Sequence, residues 1–219
     1  MQRQPEPELM ALPEEVAAYA LADFAEVNRL FVQRLEELAG DLASADTLDL
    51  GCGPGDITVR VARARSGWRI VAADASRPML DWAAGVFHRA GVADRVACRV
   101  VDAKQADLPD AAFDVVFSNS LLHHVTDAAA LWREVRRVTR PGGLVFFRDL
   151  RRPDDAHAAR QIVETHAGGE SELLKVEFYR SLLSAYTPDE VRAQLRAAGL
   201  SLLEVRVASD RHLDVFGRV

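Results

Sequence analysis

Residues 48–56, LDLGCGPGD, decide the fold of this chain. Gly51, Gly53 and Gly55 follow a short apolar run that is typical of a buried strand. Glycine loses more conformational freedom on folding than any other residue, so a cluster of glycines indicates that something must approach the backbone there. The candidates at this point are a dinucleotide, a phosphate, another cofactor, or a tight turn that binds nothing.

The composition favours one soluble domain and disfavours two classes of partner. The chain has 219 residues, of which 49% are hydrophobic, enough for a sizeable core. Its net charge of −6 disfavours nucleic-acid binding, which is normally led by a basic surface. The stretch MQRQPEPELM is polar, and no run approaches the ~18 apolar residues of a membrane span. We therefore expect a cytoplasmic protein without a nucleic-acid or membrane partner.

The two cysteines, Cys52 and Cys98, lack the spacing of metal ligands. Cys52 lies in the glycine loop, and Cys98 lies in an apolar, strand-like run. We expect two reduced thiols, as is usual inside cells, and no metal site.

Apolar strand-like runs alternate with helical patterns along most of the chain. This alternation predicts an α/β fold with a doubly wound, mostly parallel, seven-stranded sheet. The last two runs are separated by only a few residues and predict an antiparallel hairpin at the sheet edge. The predicted strands are TLDL, RIVAAD ending at Asp74, RVACRVVDA ending at Asp102, FDVVFSNS ending near Asn119, LVFFRDL, SLLEVRVAS and HLDVFGRV.

The helical patterns fit between these strands and extend beyond them. We expect one domain over residues 1–219, with an N-terminal helix over residues 13–40 and a polar helical pair over residues 154–186 as a small cap. Thr187-Pro188-Asp189-Glu190 has the pattern of a capping box and predicts a further helix start. The other predicted helices are Ile57–Ala64, RPMLDWAAGVFHRAG, and DAAALWREVRRVTRPGG, the last ended by Pro141-Gly142-Gly143.

Aspartates stand at or beside the carboxyl ends of four predicted strands. In an open α/β sheet a ligand binds at those ends. Carboxylates placed there repel a pyrophosphate and favour hydroxyls, an ammonium group or a cation. The glycine spacing agrees, because a dinucleotide loop needs a third glycine where Asp56 stands, and no Gly-Lys-Ser/Thr phosphate loop is present. The strand ends are marked by Asp49, Asp74, Asp102, Ser118-Asn119 and Asp149.

The order of these elements resembles the class I S-adenosylmethionine-dependent methyltransferases. DLGCGPG, VAADAS, VVDA, FDVVFSNSLLHHV and RVTRPGGLVFF match that family in order and spacing over about residues 46–149. LLHHV and RPGG look most like small-molecule methyltransferases of the quinone-biosynthesis type. The resemblance implies S-adenosylmethionine as cofactor, S-adenosylhomocysteine as product, and methyl transfer to a small-molecule acceptor by in-line displacement.

The resemblance also implies a role for each residue of the cofactor site. The backbone of Gly51 and Gly53 would lie against the cofactor, and Asp49 would orient the loop or meet the cofactor ammonium. Asp74 would accept hydrogen bonds from both ribose hydroxyls, a geometry that suits a carboxylate. The remaining assignments are Met79 against the adenine, Asp102 and Ala103 at the adenine amino group, Asn119 near the methionine moiety, and Tyr19 closing the pocket.

In-line methyl transfer from a sulfonium depends chiefly on alignment, and a base is needed only if the nucleophile must lose a proton early. His124, beside His123, and Asp149 are the candidate catalytic residues, because each follows a strand whose end faces the proposed site. Three arginines near Asp149 offer a clamp for an anionic substrate or, alternatively, form a solvated basic loop: Arg148, Arg151 and Arg152.

Other functions stay open at this point. The same fold could transfer an aminopropyl group, bind the cofactor as a non-catalytic sensor, or serve as the partner subunit of an active methyltransferase. Methylation of a base amino group is disfavoured because SNSL stands where those enzymes carry NPPY or DPPY. The methyl acceptor and the oligomeric state, with a homodimer as one option, cannot be read from the residues.

Overall fold

The structure is a computed structural model that describes residues 1–7, 16, 17, 19, 20 and 22–219. Seven strands form one sheet in the order β3-β2-β1-β4-β5-β7-β6. The first five strands are parallel to one another, whereas β7 is antiparallel to both β5 and β6. The strands are β1 (Ala45–Leu50), β2 (Trp68–Asp74), β3 (Val96–Val100), β4 (Phe113–Asn119), β5 (Thr139–Leu150), β6 (Glu204–Val207) and β7 (His212–Arg218).

Helices cover both faces of the sheet, which confirms the doubly wound arrangement. One buried cluster joins the sheet to α1, α2 and α3, and a second joins its other face to α4 and α7. A short 3-10 helix, Leu122–His124, follows β4. The helices are α1 (Ala25–Ala39), α2 (Asp56–Ala64), α3 (Arg77–Ala90), α4 (Ala128–Val138), α5 (Ala156–Ala167), α6 (Glu172–Ser184) and α7 (Pro188–Ala197).

Strand β5, which lies beside the central strand β4, shows why LVFF is a run of successive apolar residues. Phe146 faces α1 and stacks on Phe31 at a ring-centroid distance of 4.7 Å. Phe147 faces the opposite side and contacts Trp132 at 5.0 Å. A strand buried on both faces needs apolar residues at successive positions rather than at alternate ones.

The C-terminal hairpin lies at the sheet edge as predicted, with β7 inserted between β5 and β6. A buried ion pair joins β7 to β5, because Arg148 donates to both carboxylate oxygens of Asp214 at 2.7 and 2.8 Å. This two-bond geometry fixes orientation as well as charge. Arg148 is therefore part of the sheet and is not available as a substrate clamp.

Two predicted helix boundaries are wrong. The residues 13–15 lie outside the described part of the chain, but residues 22–24 are not helical, so the predicted 13–40 helix is interrupted. Asp23 causes the break, since its Oδ1 accepts a hydrogen bond from the backbone N–H of Ala25 at 2.9 Å in a local turn. The helix α4 ends at Val138, and Pro141-Gly142-Gly143 lies in β5 because Thr139 already pairs with Phe113.

The predicted helical pair over residues 154–186 is present as α5 and α6, which share a small apolar cluster of their own. The end of α6 contacts the 3-10 helix, where Ser184 Oγ donates to the carbonyl of His123 at 2.6 Å. Residues 1–7 cross the same junction. Arg3 Nε donates to the carbonyl of Ser184 at 2.5 Å, and the backbone N–H of Gln4 donates to the carbonyl of Leu183 at 3.0 Å. A capping role for the pair stays a prediction. Among the described residues, no helix is long and apolar enough to span a bilayer.

Candidate functional site

Packing requires two of the three glycines in the loop, whereas the third faces open space. Gly51, Gly53 and Gly55 all have positive φ, at 76°, 52° and 90°. A Cβ on Gly51 would lie 3.0 Å from Leu121, and one on Gly55 would lie 2.6 Å from the ring of Phe87. A Cβ on Gly53 would meet nothing within 4 Å. Packing therefore explains the two outer glycines, whereas the middle one leaves space for a ligand.

A cavity of about 410 Å³ opens at the carboxyl ends of the parallel strands, beside this loop. Its volume is in the range of sites for small molecules and cofactors. All nine residues predicted for the cofactor line this one cavity, and so does one of the two catalytic candidates. These residues are Tyr19, Asp49, Gly51, Gly53, Asp74, Met79, Asp102, Ala103 and Asn119, together with His124.

Asp74 ends β2 and holds the glycine loop in place. Its Oδ2 accepts a hydrogen bond from the backbone N–H of Gly53 at 2.9 Å, and its Oδ1 accepts one from Ser76 at 2.8 Å. Burial raises the pKa of Asp74, although these backbone donors oppose the shift. A carboxylate can accept about four hydrogen bonds, so Asp74 keeps the capacity to accept from a ligand hydroxyl in the cavity.

Asp49 lies deeper, at the end of β1, and is only 2% exposed. Thr58 Oγ1 donates to its Oδ2 at 2.5 Å. Burial raises the pKa of Asp49 to about 7; the bond from Thr58 opposes this shift and the charge of Asp74 adds to it. A cation entering the cavity would favour the ionised carboxylate. Asp49 is thus suited to a ligand that carries an ammonium group.

The other end of the cavity offers apolar surface with polar groups at its rim. Met79 and Ala103 are buried, whereas Asp102 is exposed and accepts hydrogen bonds from the backbone N–H of Lys104 at 2.9 Å. Lys104 Nζ also lies 3.1 Å from Asp102 Oδ1. An apolar slot next to a rim acceptor suits a flat heterocycle with an amino group.

Asn119 and Tyr19 also line the cavity. Asn119 follows β4 and donates through Nδ2 to Ser120 Oγ at 3.2 Å. The ring of Tyr19 lies 5.1 Å from that of Phe24. Burial raises the pKa of Tyr19 to about 12, and the negative charges of Asp149 and Asp74 add to the shift. The Tyr19 hydroxyl therefore stays protonated near neutral pH and can donate a hydrogen bond to a ligand.

The sequence did not point to the α1 residues that line the same cavity. Asn28 is buried and donates through Nδ2 to Asp56 Oδ2 at 2.8 Å, which ties α1 to the first residue of α2. The feature of the sequence that could have indicated Asn28 was its position as a polar residue on the apolar face of a helix. Phe24 and Arg60 line the cavity as well.

Asp149 does not face the cavity mouth, and that prediction is wrong. It is 1% exposed, and its oxygens accept from three donors: the backbone N–H groups of Leu122 at 2.6 Å and Leu150 at 2.7 Å, and Nδ1 of His123 at 2.6 Å. The first N–H groups of a helix have no acceptor inside it. The carboxylate therefore turns under the 3-10 helix and holds it in position.

The remaining arginines near Asp149 are also structural. Arg152 is buried and donates to the carbonyl of Ala185 at 2.9 Å and to Glu190 at 2.6 Å. Arg151 donates through Nε to the carbonyl of Ser209 at 3.3 Å. Neither lines the cavity, so the clamp for an anionic substrate is wrong. The alternative of a solvated basic loop is wrong as well, because Arg152 is buried and both side chains are bonded within the protein.

The N-terminal arm brings a carboxylate to the predicted histidine pair. Glu6 Oε1 lies 3.0 Å from His124 Nδ1 and 3.5 Å from His123 Nε2. The side chains of Glu6 and His123 are 8% and 4% exposed, while His124 is 21% exposed and borders the cavity. Residues 1–7, here called the N-terminal arm, gave no signal for this contact in the sequence, because the partner residues lie far along the chain.

Comparison with known proteins agrees with this geometry. A family model described as a methyltransferase domain matches residues 48–147. The chain is 33% identical over 169 residues to the 27-O-demethylrifamycin SV methyltransferase of Amycolatopsis mediterranei, covering 75% of this chain and 58% of that protein. It is 32% identical over 186 residues to the ubiquinone biosynthesis O-methyltransferase of Pseudomonas aeruginosa, covering 82% of this chain and 74% of that one.

A solved structure shares the fold. The S-adenosylmethionine-dependent methyltransferase of Aquifex aeolicus matches with a TM-score of 0.71 and 17% identity, over 96% of this chain and all of that one. The chain thus spans a little over half of the rifamycin relative and most of the ubiquinone relative. The glycine loop, the strand-end aspartates and these relatives agree, and the chain belongs to the family of class I S-adenosylmethionine-dependent methyltransferases.

Proposed function

We propose that this protein transfers the methyl group of S-adenosylmethionine to a small-molecule acceptor and releases S-adenosylhomocysteine. The observation that carries the proposal is the convergence of all nine predicted cofactor residues on one cavity at the strand ends. A domain that used the glycine loop only as a turn would not need aspartates at three neighbouring strand ends. The −6 net charge disfavours a nucleic-acid partner, and a cytoplasmic location stays a prediction.

The cavity suits the cofactor in three parts. Asp74 would accept from the ribose hydroxyls, and the open space at Gly53 lets that part lie against the backbone. Met79 and Ala103 would contact the adenine, with Asp102 at its amino group. Asp49 would meet the ammonium group of the methionine moiety, with Tyr19 and Asn119 beside it.

The bound cofactor supplies a methyl group on a positively charged sulfur, and the protein supplies alignment. Holding the acceptor in line with the sulfur–methyl bond can lower a barrier by roughly 7–11 kcal/mol. Of the two catalytic candidates, His124 lines the cavity and stays the proposed residue at the acceptor end, whereas Asp149 holds the 3-10 helix through Leu122 and His123. An oxygen acceptor is supported by the ubiquinone and rifamycin relatives, whose names specify O-methylation.

Calorimetric titration with S-adenosylhomocysteine tests the proposal, with NAD as the control. We expect one molecule of S-adenosylhomocysteine to bind per chain and NAD not to bind, because the strand-end carboxylates repel a pyrophosphate. Transfer of labelled methyl groups to hydroxylated small molecules then tests turnover. If neither S-adenosylhomocysteine nor NAD bound, the proposal would be overturned.

The affinity for S-adenosylhomocysteine should depend on pH through Asp49. Its pKa is about 7 in the free protein, and a bound ammonium group would lower it, so binding should release a proton. Affinity should rise by up to about tenfold per pH unit between pH 5.5 and 7 and level off above about 8. Calorimetry in two buffers of different ionisation enthalpy measures the released proton.

The variant Asp49→Asn tests whether this carboxylate causes the pH dependence. Its side chain cannot ionise but can still accept a hydrogen bond from Thr58. We expect it to bind more weakly at pH 8 and to lose most of the pH dependence. The same slope in the variant as in the wild type would show that another group controls binding.

A further inference from the structure

The three side chains at the N-terminal arm and the 3-10 helix are spaced like ligands of one ion. A carboxylate oxygen of Glu6, a ring nitrogen of His123 and one of His124 all lie within 4.8 Å of one another. Ligands held about 2.1 Å from a common metal ion are about 3.0–3.4 Å apart in octahedral or tetrahedral geometry. The observed 3.0 and 3.5 Å separations from Glu6 Oε1 match this spacing.

His124 Nδ1 supplies the second observation. It is buried and has no hydrogen-bond partner in the described part of the chain, although Glu6 Oε1 lies 3.0 Å away. The two atoms are close, but they are not aligned as donor and acceptor. Two ligands of the same cation are arranged in this way, because each lone pair points at the ion and not at the other ligand.

His123 is oriented as metal-binding histidines usually are. Its Nδ1 contacts Asp149 Oδ1 at 2.6 Å, which leaves Nε2 facing Glu6. A carboxylate on the second nitrogen fixes the tautomer and raises the basicity of the ligand nitrogen. Glu6 is fixed as well, since Ser181 Oγ donates to its two oxygens at 3.1 and 3.2 Å.

The local charge favours a cation. Glu6 and Asp149 bring two carboxylates to the cluster, and the guanidinium of Arg3 donates to the carbonyl oxygens of His123 and Val125 at 2.9 and 3.2 Å. Two carboxylate charges against this one guanidinium charge leave the cluster negative. His124 borders the cavity, whereas Glu6 and His123 do not line it, so an ion held here would lie at the part of the cavity wall that His124 forms.

We propose that Glu6, His123 Nε2 and His124 Nδ1 form a binding site for a divalent transition-metal ion at the acceptor end of the cavity. Two imidazoles and one carboxylate suit zinc or iron(II) and do not suit magnesium. This proposal departs from the expectation of no metal site, which rested on the spacing of the cysteines and did not include Glu6.

The role of the ion rests on the proposed function, whereas its binding does not. A metal ion lowers the pKa of a hydroxyl group that approaches it. The acceptor hydroxyl would lose its proton to water, its oxygen would form the new bond to the methyl carbon, and the carbon–sulfur bond would break with its electron pair left on sulfur. His124 would then serve as a ligand instead of a base.

Titration of the metal-free, tag-free full chain with Zn²⁺ tests the site. We expect one Zn²⁺ per chain, at least a hundredfold weaker binding in Glu6→Gln and in His124→Gln, and no binding of Mg²⁺. The matched controls are Glu26→Gln and His88→Gln, which change exposed residues on α1 and α3 and should bind Zn²⁺ as the wild type does.

Two further measurements distinguish a failure of the metal site from a failure of the proposed function. Co²⁺ added to the wild type should give a visible absorption band from nitrogen and oxygen ligands, which tests the site even if a variant does not fold. Glu6→Gln should bind S-adenosylhomocysteine within threefold of the wild type, since Glu6 is not a cofactor residue. Absence of stoichiometric Zn²⁺ binding and of the Co²⁺ band, or equally tight Zn²⁺ binding in both variants, would overturn the metal site. If the wild type did not bind S-adenosylhomocysteine, the proposed function would be overturned instead.

Discussion

Replacing Asp74 by alanine is expected to weaken S-adenosylhomocysteine binding by at least a hundredfold. Removing the carboxylate would remove its two hydrogen bonds from the ribose hydroxyls of the bound ligand. Hydrogen bonds to a charged group contribute about 1.5–3 kcal/mol each. The substitution also removes the acceptor for the Gly53 N–H, which helps to hold the loop against the cofactor. The loss of about 3 kcal/mol or more corresponds to a factor above one hundred.

Calorimetry measures the affinity, and a thermal melt without ligand confirms that the variant is folded. Asp81→Ala is the matched control, because Asp81 is a carboxylate on α3 that pairs with Arg77 in solvent and does not line the cavity. It should bind as the wild type does. If Asp74→Ala bound within threefold of the wild type, the ribose assignment would have to be abandoned.

The second large effect concerns stability. Asp149→Ala should lower the free energy of unfolding by about 3–5 kcal/mol, because it leaves the buried N–H groups of Leu122 and Leu150 and the ring of His123 without their acceptor. Chemical denaturation at fixed pH measures the change. The exposed Asp107→Ala should change stability by less than about 0.5 kcal/mol.

Asp149→Asn separates the structural role of this carboxylate from a catalytic one. The amide keeps one acceptor oxygen but presents an NH₂ group to a donor, so we expect part of the same destabilisation. Its S-adenosylhomocysteine affinity should stay close to that of the wild type wherever the protein is folded, and Zn²⁺ binding should weaken about 10–100-fold through His123. A stability loss below 1 kcal/mol in Asp149→Ala would show that other acceptors replace the carboxylate.

Much of the cofactor site could be predicted because it is built from strand ends. A buried parallel strand has a local apolar signature, and its last residue lies at the same sheet edge as the last residue of each neighbour. Asp49, Asp74 and Asn119 were therefore expected in one place although they are far apart in the chain. Gly53 fits the same reasoning, since no side chain competes for the space beside it.

The same reasoning failed for Asp149, which also stands near the end of a strand. A strand end fixes where the Cα atom lies, but the side chain turns toward whichever donors reach it. Here those donors are Leu122 N–H and His123, on a 3-10 helix after a different strand. Arg148 and Arg152 were misjudged for the same reason, because Asp214 and Glu190 reach them from the C-terminal part of the chain.

The amino-acid sequence by itself determined the α/β fold, the doubly wound sheet with its edge hairpin, and the strand-end residues of the cavity, because periodicity and strand ends are local properties. Only the tertiary structure decided what surrounds the acceptor end. Glu6 reaches His123 and His124 because the N-terminal arm is held against Ser184 and Leu183 at the end of α6. Such a contact depends on the packing of three distant segments, and no local pattern of residues encodes it.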